Sequence, residues 1–266
     1  MAAALLATVT CLSARPIAYD AVNEAATAYA YSREQAASAA SNDLAHELAA
    51  LARAGSLEPA GAEADRVRRV YRRLMASANL HAGAGGQQWA LHLHAGPAHA
   101  YARTGGQIVI SMRYVEHYRL TDDELGFVLA HEIAHVLCEH ERARLSAVWR
   151  RNAPHKLAAR HAIEYLDTEP WVRAQIAELA ALQEREADRI GLALAARAGF
   201  DPAASLRFFT KAAHLDGNDR LLASFHDEAG ARGGALRSRA LWMRITPALL
   251  WPRALSCGLP AIRLAV

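Results

Sequence analysis

The stretch TDDELGFVLAHEIAHVL, running from Thr121 to Leu137, decides how this chain is read. Thr121-Asp122-Asp123-Glu124 has the form of a capping box. In that motif the threonine side chain accepts from the third residue's N–H and the glutamate reaches back to the first. Leu125, Val128, Leu129, Ile133, Val136 and Leu137 follow at spacings of three and four, which predicts a long helix with a buried face. Inside it lies His131-Glu132-Ile133-Ala134-His135. Helical positions four apart differ by about 40° around the axis and one turn along it. The two imidazoles therefore face the same way and can share one metal ion. Glu132 is rotated by about 100° and stands beside that ion, where it can act as a general base toward a metal-activated water.

A catalytic zinc needs a third protein ligand and an open fourth position. The HExxHxxGxxH pattern is excluded, because Cys138 and Glu141 occupy the glycine and final histidine positions. His140, nine residues from His131, falls on the opposite face of a continued helix and reads as a surface histidine. The better third ligand is Glu184, in Glu184-Arg185-Glu186-Ala187-Asp188 on the next long helix. An isolated ExxxD is normally a solvated carboxylate pair. Here its face continues through Ala187, Gly191 and Ala195, small residues that let two helices approach closely. Metal-ligating histidines usually donate their other ring proton to a carboxylate or carbonyl, and Asp188 is placed to accept it.

Outward from this centre, residues 17–54 read as alanine-rich helix broken at Gly55. Residues 63–79 read as an amphipathic helix with Val67, Val70, Tyr71 and Leu74 on one face. Ala82 to Gly86 is a loop. Gln88 to Ala95 alternates as a half-buried strand, and His99 to Ala102 is a second extended piece. Gly105-Gly106 turns into the strand Gln107 to Ser111. One helix is expected from Pro170 to Gly199 and another from Asp201-Pro202 to about His214. Gly230 to Gly234 reads as a loop and Ala235 to Arg244 as helix. The order of helices, small sheet and helices predicts an α+β fold.

The 266 residues are 53% hydrophobic and 21% charged, with a net charge of +3, an ordinary globular balance with no internal repeat. Only Lys156 and Lys211 are lysines among 30 basic residues, a bias that carries no binding signal. The basic stretch Arg142 to Arg160 reads as a solvated helix face and loop. It lacks an aromatic stacking pattern, which excludes a nucleic-acid partner. Cys11, Cys138 and Cys257 do not suggest a disulfide framework, and Cys138 reads as a small core hydrophobe. Residues 1–16 form an apolar run ending in Leu12-Ser13-Ala14, a candidate signal peptide that lacks a positive start; a frayed helix is the alternative. The expected location is periplasmic, with cytoplasmic as the alternative. No stretch reaches the roughly 18 apolar residues of a membrane span, so peripheral membrane association is the most the chain allows.

The chain resembles the zinc metallopeptidases that include the CAAX prenyl protease and HtpX, in particular their soluble bacterial periplasmic branch. HEIAH, the ExxxD within EREADRIGL and the stretch HAYARTGGQIVIS carry the likeness, which runs from about Asp65 to Arg244. It implies a mainly helical zincin-type (gluzincin) metalloprotease domain with a small sheet whose edge strand binds substrate. It also implies one zinc ion per chain, held by His131, His135 and Glu184 with Asp188 behind them. His99-Ala100-Tyr101 and Thr104-Gly105-Gly106 stand where the family has Asn-Ala-Phe and Pro-Gly-Gly on the substrate strand. His226 stands at a family His-Pro, with Asp227 replacing the proline. There it would stabilise the oxyanion or latch the open zinc position, unless it is a plain loop histidine. The family arginine that follows corresponds to Arg232, Arg237 or Arg239. The expected organisation is a leader at 1–16, a helical segment at 17–62, the peptidase domain at 63–246 and a tail at 247–266.

The expected activity is hydrolysis of internal peptide bonds in unfolded or misassembled polypeptides, in protein quality control. A di-iron bundle needs a second Glu-x-x-His, and the chain has none beyond Glu132 and His135. A zinc-stabilised chaperone or binding module without turnover is the other alternative, and the presence of Glu132 weighs against it. An aminopeptidase would need an acidic site for a substrate amino terminus, which the sequence does not offer.

Overall fold

Among the described residues, Ser32 opens the first helix through a capping box with Gln35, and α1 runs Arg33–Arg53. The computed structural model describes residues 29–77, 87–152 and 157–215, together with 232, 236 and 237. The leader at 1–16, the loop Ala82 to Gly86, His226, Arg239 and the tail at 247–266 lie outside the described residues, as does most of the 235–244 helix. Past Gly55, at φ +65°, α2 spans Ala62–Ser77 and buries Val67, Val70, Tyr71 and Leu74, the face expected from spacing.

Three short strands follow: β1 (Ala90–His94), β2 (Ala100–Arg103) and β3 (Gln107–Ser111), in the order β1-β3-β2. β3 is central, parallel to β1 and antiparallel to β2. Gly105 and Gly106, at φ +98° and +96°, make the β2–β3 turn, a conformation that L side chains rarely adopt. The Ser111 N–H donates to the His99 carbonyl at 2.9 Å, and Tyr101 and Arg103 lie opposite Val109 and Gln107. Alternate residues of an antiparallel strand bond to opposite sides. His99, Tyr101 and Arg103 therefore turn their main-chain groups toward β3, and Ala100 and Ala102 turn theirs to the free edge.

Ser111 caps α3 (Met112–His117), and Thr121 caps α4 (Asp122–Leu137) with the expected box closed by Glu124. Burial opposes charge on Glu124, but hydrogen bonds from Lys211 and Thr121 prevail and lower its pKa. The chain continues through α5 (His140–Asn152), α6 (Ala159–Thr168), α7 (Pro170–Gln175), α8 (Ala177–Arg197) and α9 (Ala204–Leu215). The expected single helix from Pro170 to Gly199 is thus two. Ile176, at φ −111° and ψ 10°, breaks it. Val172 and Ile176 belong to one apolar core with Leu145, Val148 and Ile163, whereas Ala187, Ile190 and Leu192 belong to another. The break re-aims the chain from the first core to the second.

The larger core gathers α2, the sheet, α3, α4, α8 and α9, and the smaller gathers α1 with α5, α6 and α7. The most extensive helix contact is between α4 and α8. Gly191 makes it close: a Cβ there would sit 2.7 Å from the His131 nitrogen and 2.8 Å from its Cα. The basic stretch after Arg142 is not a plain solvated face, since Arg142 is buried and pairs with Glu139 at 2.6 Å. Cys138 is buried in the larger core, as expected of a small hydrophobe, and its sulfur is disulfide-bonded. No described helix is long and apolar enough to cross a membrane.

Candidate active site

α4 supplies His131, Glu132 and His135, all buried. The two Nε2 atoms lie 3.0 Å apart. Glu184, from α8, places Oε2 3.4 Å from His131 Nε2 and Oε1 3.4 Å from His135 Nε2. Donors bound tetrahedrally at about 2.0–2.1 Å stand about 3.3 Å from one another. The three side chains thus form a donor set that could hold a metal ion, and two imidazoles with one carboxylate suit a catalytic zinc site with one open position. Glu132 lines the adjoining cleft with His131, Tyr114, Phe127, Val128, Phe208 and Arg232.

Asp188 lies one turn along α8, its Oδ1 3.1 Å from His131 Nδ1. The buried Arg232 reaches the same carboxylate with two hydrogen bonds, Nε to Oδ2 at 2.7 Å and Nη2 to Oδ1 at 2.6 Å. Its Nη1 is 3.1 Å from Glu184 Oε2, so one guanidinium joins both carboxylates of the ExxxD. Burial would raise the Asp188 pKa, but the hydrogen bonds from Arg232 and His131 prevail and lower it. Burial opposes charge on His131 as well. Its hydrogen bonds to Asp188 and Glu184 outweigh that and push the ring up to about 10. His135 differs: burial holds its pKa well below the usual value.

The model of peptidase family M48 matches residues 61–244. The chain belongs to peptidase family M48. M48 is a family of metallopeptidases, and the donor set of His131, His135 and Glu184 suits that class. Over 127 residues, 43% of this chain, it is 34% identical to the "Putative beta-barrel assembly-enhancing protease" of Vibrio cholerae. The match covers 26% of that protein, so the chain spans about a quarter of it.

Of the three arginines that sequence left undistinguished in this M48 chain, Arg232 reaches the centre, Arg237 is exposed and Arg239 lies outside the described residues. No local signal could have chosen Arg232, because its partners are about 45 residues upstream. The expected substrate strand divides by side chain and main chain. His99 and Tyr101 turn their side chains toward α1: the Tyr101 hydroxyl donates to Glu47, and His99 Nε2 is 3.8 Å from the same carboxylate. The Ala100 side chain is buried in the larger core. The edge offered by this strand is its main chain.

His140 is not the surface residue expected from helix phase. It is fully buried, and its Nδ1 is 2.9 Å from Nδ1 of His135. The phase argument assumed one continuous helix. α4 instead ends at Leu137, and Glu139 at φ +52° reverses the chain. Its carboxylate holds the turn through Arg142 and Arg33. The reversal returns His140 beneath His135.

Proposed function

We propose that this M48 chain is a zinc-dependent endopeptidase that cleaves extended segments of unfolded or misassembled polypeptides. The observation that carries the reading is the convergence of two imidazole nitrogens and a carboxylate within 3.4 Å, with Glu132 beside them. His131, His135 and Glu184 would hold one zinc ion. When bound, the ion supplies Lewis-acid polarisation and makes water a nucleophile at neutral pH. Glu132 takes the proton from the attacking water and returns it to the leaving amine. Asp188 orients the His131 ring, and Arg232 lowers the Asp188 pKa and fixes both ExxxD carboxylates. The outward main-chain groups of Ala100 and Ala102 pair with substrate as an added strand, which reads backbone and tolerates varied side chains.

The catalytic unit corresponds to residues 63–246. The reference to beta-barrel assembly in the Vibrio cholerae relative's name and the candidate leader at 1–16 support a periplasmic role in protein quality control. His226 remains assigned to the open face of the site by family likeness alone, as oxyanion donor or latch. The test measures zinc content and casein cleavage for the wild type, Glu132→Gln and Glu184→Ala. Glu132→Gln keeps zinc and loses about 10²–10⁴-fold in cleavage rate, the range for a positioned general base. Glu184→Ala loses zinc and activity together. A Glu132→Gln variant of undiminished activity contradicts the reading, and one whose wild type holds unfolded chains without cutting them favours a binding module.

A further inference from the structure

Beneath the second histidine of the centre lies a buried chain of contacts that the proposed mechanism does not use. His135 Nδ1 is 2.9 Å from His140 Nδ1, and His140 Nε2 is 3.2 Å from Glu186 Oε2. α8 also holds the main chain of His140, since the Gln183 side-chain amide donates to its carbonyl at 3.0 Å. His140, Gln183 and Glu186 are all buried. One helix therefore carries the Glu184 carboxylate and, through its neighbours at 183 and 186, grips the residue under His135. Cys138 lies within 4.8 Å of His140 and Glu186 as a third conceivable donor, but its sulfur is disulfide-bonded. The pair is left to face His135.

The geometry points to His140 and Glu186 as positioning residues for His135, fixing its tautomer and ring orientation for the metal. This rests on the zinc-centre reading of His131, His135 and Glu184. Hydrogen-bond logic allows one arrangement that serves all three groups. A His135 ring that offers its Nε2 lone pair to an ion carries its proton on Nδ1. That proton needs an acceptor, so His140 Nδ1 is unprotonated. The His140 proton then lies on Nε2 and is donated to the Glu186 carboxylate. Both nitrogens of the His140 ring and Nδ1 of His135 are then paired, and Glu186 locks the tautomer of a ligand it does not touch. Partners of this kind orient a metal-bound ring and raise its basicity.

The test uses the full chain, with zinc affinity measured by competition against a chromogenic chelator and folding of the metal-free form followed by circular dichroism. His140→Leu keeps volume but removes the acceptor, and zinc affinity falls by about 10–100-fold, the usual range for loss of such a partner. His140→Asn places a carboxamide oxygen near the Nδ1 position and recovers most of the affinity. Glu186→Gln keeps an acceptor for Nε2–H and stays near wild type, whereas Glu186→Leu does not. Nitrogen-15 imidazole spectra of the zinc-loaded wild type show His140 protonated on Nε2 and bare on Nδ1, a readout that needs no variant to fold. Unchanged affinity in His140→Leu, or a His140 proton on Nδ1, overturns the positioning role. A wild type that holds no zinc overturns the metal-centre reading itself.

Discussion

His131 and His135 sit one turn apart on the same helix, yet the protein supports them by different means. His131 backs onto Asp188, a carboxylate that is itself clamped by Arg232. His135 backs onto a second imidazole, and only beyond it onto a carboxylate. The two sides differ in charge accordingly: the His131 ring is pushed up to about 10, and the His135 ring is held neutral by burial. An ion at this centre meets one ring that must surrender a proton and another that is ready to bind. Charge organises the first side and shape the second.

The largest effect is expected on the charged side. Asp188→Ala leaves a buried guanidinium without its bidentate partner, and loss of one member of such a pair costs about 3–5 kcal/mol. Urea unfolding of the metal-free chain measures it; a loss as small as that of Glu186→Gln would erase the distinction between the two sides. A smaller effect follows at the helix contact. Gly191→Ala drives a Cβ against the His131 backbone, and overpacking of this kind costs about 1–3 kcal/mol. Unfolding and zinc affinity should weaken together, because the added methyl separates the helix of Glu184 from that of the histidines. A stable Gly191→Ala with intact affinity would show that the close approach is dispensable.

The smallest expected effect is on pH dependence. The pKa of His131 is raised, so its ring is charged below about pH 10 and zinc must displace that proton. Zinc affinity therefore rises with pH, by about tenfold per unit through the neutral range, for a single displaced proton. Calorimetry in buffers of different ionisation enthalpy reads the released proton directly. Asp188→Asn, which removes the charge favouring that proton, should lessen the release, while His140→Asn should leave it unchanged. Equal responses from the two variants would break the contrast between the sides.

Much of this arrangement was legible in sequence because it rests on local periodicity. The Thr121 capping box closes as read, and the stripe from Leu125 to Leu137 and the small face Ala187, Gly191 and Ala195, repeats at helical spacing, are buried. β3 was legible as a short apolar run between turn signals, and the Gly105-Gly106 turn by its composition. What was lost is what depends on a change of chain direction. A non-glycine residue at positive φ, Glu139, moved His140 from the far face of a helix to the underside of a ligand. Ile176, whose side chain joins the smaller core, divided a helix whose spacing gave no warning. Arg232 was one of three equivalent arginines until tertiary contact with Asp188 and Glu184 separated it from Arg237. The side chains of His99 and Tyr101 meet Glu47 on α1, a pairing over about 50 residues that no local pattern encodes.

The central claim is that His131, His135 and Glu184 bind a single ion. Anomalous scattering at the zinc edge, from crystals grown with zinc, tests it most directly. The account predicts one strong peak about 2.0–2.2 Å from both Nε2 atoms and from a Glu184 carboxylate oxygen. A peak lying instead among Cys138, His140 and Glu186, or one with the Glu184 carboxylate turned away from it, would contradict the account.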